Sequence, residues 1–333
     1  MSLLLQPIQI GSMKLDNRLL MAPIATSKSE VDGRVSREVL DYYTEKSKGG
    51  YLSLIIIEHS FISKEGKASN NQLSVAEDGF VEDLKKLSHA IHQNGTKAIM
   101  QINHAGSAAE KEITGSLPVA PSAIPHPRKG DETLHELTTE EIADIVTSFK
   151  KAAMRVKEAG FDGVEIHSAH GYLLNQFFSP LSNKRTDQYG GEVLNRIRIH
   201  LEVIHAVRGA VGEEFPIFLR LGASDYREGG TDIEDSLIAV QAFEKAGVNV
   251  LDISGGFCGF TVPGITKEQG YFAPLTEAIK KKVSIPVILT GGITKPEAAE
   301  SLLQEKKSDL IGVGRAMAKD SEWAKYCIES LNI

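Results

Sequence analysis

Eight short apolar segments, most of them containing β-branched residues, alternate with helical patterns along the chain, and this alternation limits the possible folds more than any other feature. Such runs are typical of parallel strands that are covered on both faces. Strands separated by helices predict a closed (β/α)8 barrel, the TIM barrel, and 333 residues suit one such domain with insertions. The predicted strands are residues 19–21, 54–58, 97–102, 163–166, 216–221, 250–254, 287–290 and 310–313.

An open, doubly wound sheet is the alternative to a closed barrel. That fold places a glycine-rich fingerprint directly after its first strand. The first predicted strand is followed instead by A-P-I-A at residues 22–25, which contains no glycine. We therefore predict that residues 1–333 form a single barrel domain.

Three segments fall outside the repeated strand and helix pattern. Residues 3–15 predict a short N-terminal hairpin, with Gly11 and Ser12 near its turn. Residues 103–138, after the third strand, are long for a loop and predict a lid or a small hairpin over one end of the barrel. Residues 164–191 supply a second long loop, and residues 193–211 predict one long helix.

Composition excludes several classes of partner. The net charge is −7, and the longest basic run is three lysines at residues 280–282, so a nucleic-acid-binding surface is not expected. No apolar run approaches the roughly 20 residues of a membrane span, and the N-terminus lacks the features of a signal peptide. Cys258 and Cys327 are far apart in sequence and suit a reducing compartment. We expect a cytoplasmic protein with a small-molecule substrate, and we leave a homo-oligomer open.

Side chains that can donate a proton gather where the fourth predicted strand ends. His167, His170 and Tyr172 lie within six residues of one another, and barrels carry their chemistry at the carboxyl ends of the strands. A lone histidine is more often structural, but three donors at one strand end favour a catalytic site. A metal site is not expected, because the only nearby carboxylate, Glu165, is expected on the opposite face of the strand from His167.

Glycines and an arginine follow the last two strands. Gly291 and Gly292 follow the seventh strand, and Gly314 and Arg315 follow the eighth. Barrels commonly bind phosphate at this position, where glycine lets backbone N–H groups approach the ligand. Polar side chains in the otherwise apolar strands, and at the end of the sixth, also need partners. A phosphorylated heterocyclic cofactor, most simply FMN, would meet both needs. These polar residues are Gln101, Arg220 and Ser254.

Taken together, these motifs resemble the Old Yellow Enzyme family of FMN-dependent ene-reductases. The resemblance covers nearly the whole chain, and the run after the fourth strand is its most specific part. The motifs are N-R-L-L-M-A-P at 17–23, M-Q-I-N-H-A-G at 100–106, H-S-A-H-G-Y-L-L-N-Q-F-F-S-P-L-S-N-K-R-T-D-Q-Y-G-G at 167–191, F-L-R-L-G-A-S-D-Y at 218–226 and V-G-R at 313–315.

The resemblance implies a reductase that takes a hydride from NADPH or NADH and reduces the C=C bond of an α,β-unsaturated carbonyl compound. His167 and His170 would hydrogen-bond the substrate carbonyl, and Tyr172 would donate the proton. Gln101 would hold the pyrimidine edge of the flavin, and Arg220 would face its N1 and O2 atoms. The residues that would contact the flavin are Pro23, Ile24, Ala25, His59, Gln101, Arg220, Ser254, Gly291, Gly292, Gly314 and Arg315.

Several positions depart from the family pattern. Ala25 stands where many relatives have a redox-tuning Cys or a Thr, Ser27 stands where one branch has a substrate-binding Tyr, and His59 replaces a small residue beside the flavin. The chain also ends without the extension and cysteine cluster of the larger dienoyl-CoA reductase and trimethylamine dehydrogenase relatives, so we expect the smaller type.

Other functions remain open at this point. A flavin barrel of the tRNA-dihydrouridine synthase type would need a basic face and an active-site cysteine. A flavin-free aldolase or lyase would need a Schiff-base lysine at a strand end, and no predicted strand ends in one. A non-catalytic barrel that binds flavin or another ligand is the third alternative.

Overall fold

The computed structural model describes residues 2–130, 133–262, 264–265 and 268–332. Eight strands, each parallel to its neighbours, form a closed barrel in which consecutive strands are adjacent. This architecture confirms the predicted TIM barrel. The strands are β1 (Leu19–Met21), β2 (Leu54–Phe61), β3 (Lys97–Asn103), β4 (Gly163–Ser168), β5 (Ile217–Gly222), β6 (Val250–Ser254), β7 (Val287–Leu289) and β8 (Leu310–Val313).

A principal helix follows each strand. The third helix begins with a capping box, in which Thr138 accepts from the N–H of Glu141 and the Glu141 carboxylate accepts from the N–H of Thr138. The helices are α1 (Arg37–Ser47), α2 (Val81–His92), α3 (Thr139–Glu158), α4 (Arg198–Val211), α5 (Ile233–Lys245), α6 (Ala273–Lys280), α7 (Pro296–Gln304) and α8 (Trp323–Leu331).

The inner and outer faces of the strands bury different apolar groups. Alternate side chains of β1–β8 point outwards and pack against the helices in the larger of two hydrophobic clusters. Inward-pointing residues near the amino ends of the strands, such as Leu54, Ile99 and Phe218, form the smaller cluster. An antiparallel hairpin of Ile8–Ile10 and Met13–Leu15 packs its own apolar side chains into this cluster. The predicted hairpin is therefore confirmed, and it covers the amino-terminal end of the barrel.

Two predicted segments differ in the structure. The expected helix 193–211 is broken at Ile197 into Val193–Arg196 and α4, and the second long loop contains a helix at Leu173–Phe178. The lid segment 103–138 is not a hairpin, because its two short strands, Val119–Ala120 and His135–Glu136, run parallel to each other. Parallel strands cannot be joined by a tight turn, which explains the length of the segment. Among the described residues, no helix is both long and apolar enough to cross a membrane.

Candidate active site

The three predicted catalytic residues lie side by side at the carboxyl end of β4. The ring centroid of His167 is 5.0 Å from that of His170 and 5.2 Å from that of Tyr172, with both pairs close to edge-on. The backbone turns sharply here, with φ of 61° at His170 and 77° at Gly171, and Asn175 accepts a hydrogen bond from the Gly171 N–H. This left-handed turn brings together the two histidines and the tyrosine.

All three side chains are neutral hydrogen-bonding groups at neutral pH. Burial, followed by the positive charges of neighbouring residues, holds the pKa of His167 and of His170 well below the usual histidine value. Burial also raises the pKa of Tyr172, so its hydroxyl keeps its proton. His170 Nε2 lies 2.8 Å from the Ser254 hydroxyl, which orients the ring. Uncharged donors held in place around one space can polarise a carbonyl oxygen and deliver a proton.

A layer of polar side chains crosses the barrel interior beside this cluster. Gln101 Nε2 donates to Glu165 Oε2 at 2.6 Å, and Arg220 Nη1 lies 3.1 Å from Asp252 Oδ2. The expectation that Glu165 faces away from His167 is wrong, because residues two apart on a strand share a face. Glu165 is fully buried inside the barrel, and its proximity to Gln101 and Arg220 makes it part of the site.

Glu165 gives a prediction about stability and pH. Burial and the negative charge of Asp252 raise the pKa of Glu165 from 4.5 to about 8. Between these values the folded protein holds a proton that the unfolded chain releases, so this group's contribution to stability falls as pH rises. Glu165→Gln removes the titration, and we expect the variant to lose less stability than the wild type between pH 5 and pH 8. Thermal unfolding across that range measures the difference, and equal slopes would contradict the assignment.

The barrel interior fits a ligand with hydrogen-bond acceptors. Arg220 is 5% exposed, and its Nε donates to no described residue. Glu165 Oε1 is also buried without a partner in the described chain. Buried polar groups that lack partners are costly, so a bound group that supplies those partners is expected. The pyrimidine edge of FMN has the required acceptors and an N–H donor.

The ends of β7 and β8 fit a phosphate group. Gly292 has φ of 71°, and a Cβ there would lie 2.8 Å from the Tyr271 ring, while a Cβ on Gly314 would lie 2.9 Å from Ile24. The N–H groups of both glycines donate to no described residue. Arg315 Nη2 donates to the Tyr271 hydroxyl at 3.0 Å, and the guanidinium makes no ion pair with any described carboxylate. Free backbone donors beside an unpaired arginine are suited to a phosphate.

Ala25, which stands where relatives have a Cys or a Thr, follows β1 and precedes a residue that binds a buried carboxylate. The N–H and the hydroxyl of Thr26 both donate to the Glu58 carboxylate, at 2.7 and 2.5 Å. Burial raises the pKa of Glu58 to about 7 despite these bonds. Because Thr26 is committed to Glu58, it cannot replace the missing side-chain donor at Ala25.

We therefore expect Ala25→Cys and Ala25→Thr to raise the midpoint potential of bound FMN. A new donor at this position would stabilise the electron-rich reduced ring. One neutral hydrogen bond contributes about 0.5–1.5 kcal/mol, so the shift should be on the order of tens of millivolts for a two-electron couple. Redox titration of both variants measures it, and no shift in either would place Ala25 away from the flavin.

His59 lies beside the His/His/Tyr cluster, with its ring centroid 5.3 Å from that of Tyr172. The structure thus places each predicted residue at the carboxyl ends of the strands. Sequence reasoning missed other residues of the site. Polar residues at inward positions of apolar strands could have identified three of them, Glu58, Glu165 and Asp252, but no local pattern marked the other two. The missed residues are Glu58, Gln72, Glu165, Asp252 and Tyr271.

Among the described residues, no three His, Cys, Asp or Glu side chains are placed to hold a metal ion.

The sequence profile of the NADH:flavin oxidoreductase / NADH oxidase family matches residues 3–332. The chain belongs to this family. The family's sequence profile therefore spans the barrel, the glycine sites and the His/His/Tyr cluster together.

Relatives and solved structures agree with the family. The chain is 41% identical over 327 residues to an NADH oxidase of Thermoanaerobacter brockii, which covers 96% of this chain and 50% of the relative. It is 37% identical over 330 residues to an NADPH dehydrogenase of Bacillus velezensis, covering 99% and 95%. An old yellow enzyme homologue from Zymomonas mobilis has a TM-score of 0.86 and 27% identity, covering 99% of this chain and 93% of that one. The Old Yellow Enzyme resemblance is confirmed, and the cofactor is FMN.

The chain spans about half the length of the first two curated relatives. Its barrel is therefore similar to the corresponding part of proteins twice as long, as well as to relatives of its own length. The expectation of the smaller type therefore stays a prediction.

Proposed function

We propose that this protein is an FMN-dependent NAD(P)H oxidoreductase that reduces the C=C bond of α,β-unsaturated carbonyl compounds. The observation that carries the proposal is the cluster of three neutral hydrogen-bonding side chains, His167, His170 and Tyr172, at the carboxyl end of β4. We further propose that residues 1–333 act as a single FMN-binding domain. The chemistry supplied by bound FMN is hydride transfer between the nicotinamide and the substrate.

His167 and His170 orient and polarise the substrate. Their ring centroids are 5.0 Å apart, and we assign hydrogen bonds from both rings to one substrate oxygen. Because both rings are neutral, each carries one N–H donor. As negative charge develops on the oxygen during reduction, these bonds strengthen and stabilise the transition state.

Tyr172 supplies the proton that completes the reduction. Its hydroxyl makes no hydrogen bond within the described chain, and its raised pKa keeps it protonated. It lies beside His167, 5.2 Å away between ring centroids. A tyrosine in this position can protonate the carbon next to the carbonyl while the histidines hold the oxygen.

The remaining residues hold the cofactor. We assign the ring contacts to Gln101 and to Arg220, whose Nε donates to no described residue. The main chain after β1 and the groups at the ends of β2 and β6 would complete the ring site, and the glycine sites with Arg315 would bind the phosphate. The groups after β1, β2 and β6 are Pro23, Ile24, Ala25, His59 and Ser254, of which His59 would contact the ring without donating a hydrogen bond to it. The glycines are Gly291, Gly292 and Gly314.

An anaerobic reductase assay tests the proposal. The purified protein is expected to show the visible flavin band, and mass analysis of the released cofactor is expected to give FMN. With NADH and with NADPH, bleaching of that band followed by recovery on addition of 2-cyclohexenone would support the proposal. Bleaching without recovery, with either nicotinamide and with a wider set of activated alkenes, would contradict it.

A further inference from the structure

His59 reaches the barrel mouth because of an irregularity in β2. The pairing of β2 with β3 shifts register between Ile57 and Ser60. In a regular strand, His59 would point to the face opposite that of its neighbour Glu58. A bulge changes the direction of the side chain. The ring lies 5.3 Å from Tyr172 and 6.4 Å from His167 between centroids, tilted 32° to the tyrosine ring. His59 therefore joins the catalytic cluster as a fourth polar ring.

Contacts with Gln72 fix which ring nitrogen of His59 carries the proton. The N–H of Ala68, which can only donate, bonds the Gln72 Oε1 at 2.6 Å and so fixes the orientation of the amide. The Gln72 Nε2 then donates to His59 Nδ1 at 2.7 Å and to the His59 carbonyl at 3.2 Å. Since Nδ1 accepts, the hydrogen of the neutral ring is on Nε2.

The Nε2–H of His59 is a donor without a protein acceptor. Burial lowers the pKa of His59 to about 4, so the ring is uncharged at neutral pH. No described residue accepts a hydrogen bond from Nε2, whereas Nδ1 is held by Gln72. A fixed donor that faces a substrate site favours ligands that satisfy it and disfavours analogues that leave it unpaired.

We propose that His59 determines substrate specificity by donating to a second acceptor atom of the substrate. This inference rests on the proposed function. His59 is 6.4 Å from His167 on the side of Tyr172, farther than the 5.0 Å between His167 and His170. Because the histidine pair binds one substrate oxygen, the Nε2–H of His59 is left to donate to a different acceptor atom of the substrate. Preferred substrates are therefore electron-poor alkenes with two hydrogen-bond acceptors, such as ene-diones.

Two substitutions of similar size distinguish the effect of the N–H donor of His59 from the effect of its side-chain volume. His59→Leu keeps an apolar side chain without a donor, and His59→Gln keeps an amide N–H. The ligands are cyclohexanone and cyclohexane-1,4-dione, which have no C=C bond, and their dissociation constants are obtained from changes in the flavin spectrum of the oxidised holoenzyme. The quantity compared is the preference for the dione, which is the dissociation constant of cyclohexanone divided by that of the dione.

We expect His59→Leu to reduce this preference by about twofold to tenfold, the effect of one neutral hydrogen bond, and His59→Gln to retain most of it. The same order is expected in kcat/KM for 2-cyclohexene-1,4-dione relative to 2-cyclohexenone. An unchanged preference in His59→Leu would overturn the proposal. A loss of FMN affinity in place of dione affinity would also overturn it, because His59 would then donate to the cofactor. Failure to reduce either alkene would contradict the proposed function, while the binding preference would still report on His59.

Discussion

Tyr172→Phe is expected to slow oxidation of the reduced enzyme by 2-cyclohexenone by about 10²–10⁴, the usual contribution of a positioned general acid. Only the step that acts on the enone needs the tyrosine proton. Reduction of the enzyme by the nicotinamide should therefore change little. Anaerobic stopped-flow traces of the two half-reactions measure both effects in the same preparation.

Two other oxidants are controls for this variant. Molecular oxygen requires no proton on carbon, so its rate should be similar in the wild type and in Tyr172→Phe. A nitroalkene should be less affected than the enone, because its product can leave before carbon is protonated. If Tyr172 only packs against His167, the phenyl ring will substitute for it, and equal enone rates in both proteins would remove Tyr172 from the mechanism.

Arg315→Ala is expected to weaken FMN binding by about 1.5–3 kcal/mol, the contribution of a hydrogen bond to a charged group. The guanidinium has no carboxylate partner among the described residues and lies beside glycine N–H groups that are also unpaired. The phosphate assignment rests on this arrangement. Titration of the deflavinated protein with FMN, followed by flavin fluorescence, gives the dissociation constant.

An exposed arginine elsewhere provides the matched control for Arg315. Arg37 lies on α1 and pairs with Asp41 on the surface, so Arg37→Ala removes the same charge away from the glycine sites. FMN affinity should fall in Arg315→Ala and stay unchanged in Arg37→Ala. Full FMN retention and an unchanged dissociation constant in Arg315→Ala would place the phosphate elsewhere.

The barrel could be predicted because its signal is local and repeated. Short apolar runs with helical patterns between them identify parallel strands wherever they occur, and the predicted strands differ from the observed ones by at most a few residues at their ends. The largest difference is β2, predicted to end at Glu58 and observed to Phe61. That extension contains the register shift at His59, which depends on pairing with β3 and has no sequence signature of its own.

Most of the site could be predicted for a different reason, because strand ends of a barrel meet on one face. His167, His170 and Tyr172 were close in sequence, so their grouping needed no long-range information. The side of the strand occupied by Glu165 was predicted wrongly, although spacing alone places it with His167. Partners such as Gln72 for His59 and Tyr271 for Arg315 come from loops, and only the folded chain brings them near.

The central claim is that nicotinamide oxidation is coupled to reduction of an activated C=C bond. The most direct test is the anaerobic steady-state reaction of NADPH or NADH with 2-cyclohexenone, in which oxidised nicotinamide and cyclohexanone are quantified together. We predict equal amounts of the two products with the preferred nicotinamide. Nicotinamide oxidation that requires oxygen and yields no cyclohexanone would contradict the claim and would indicate an oxidase.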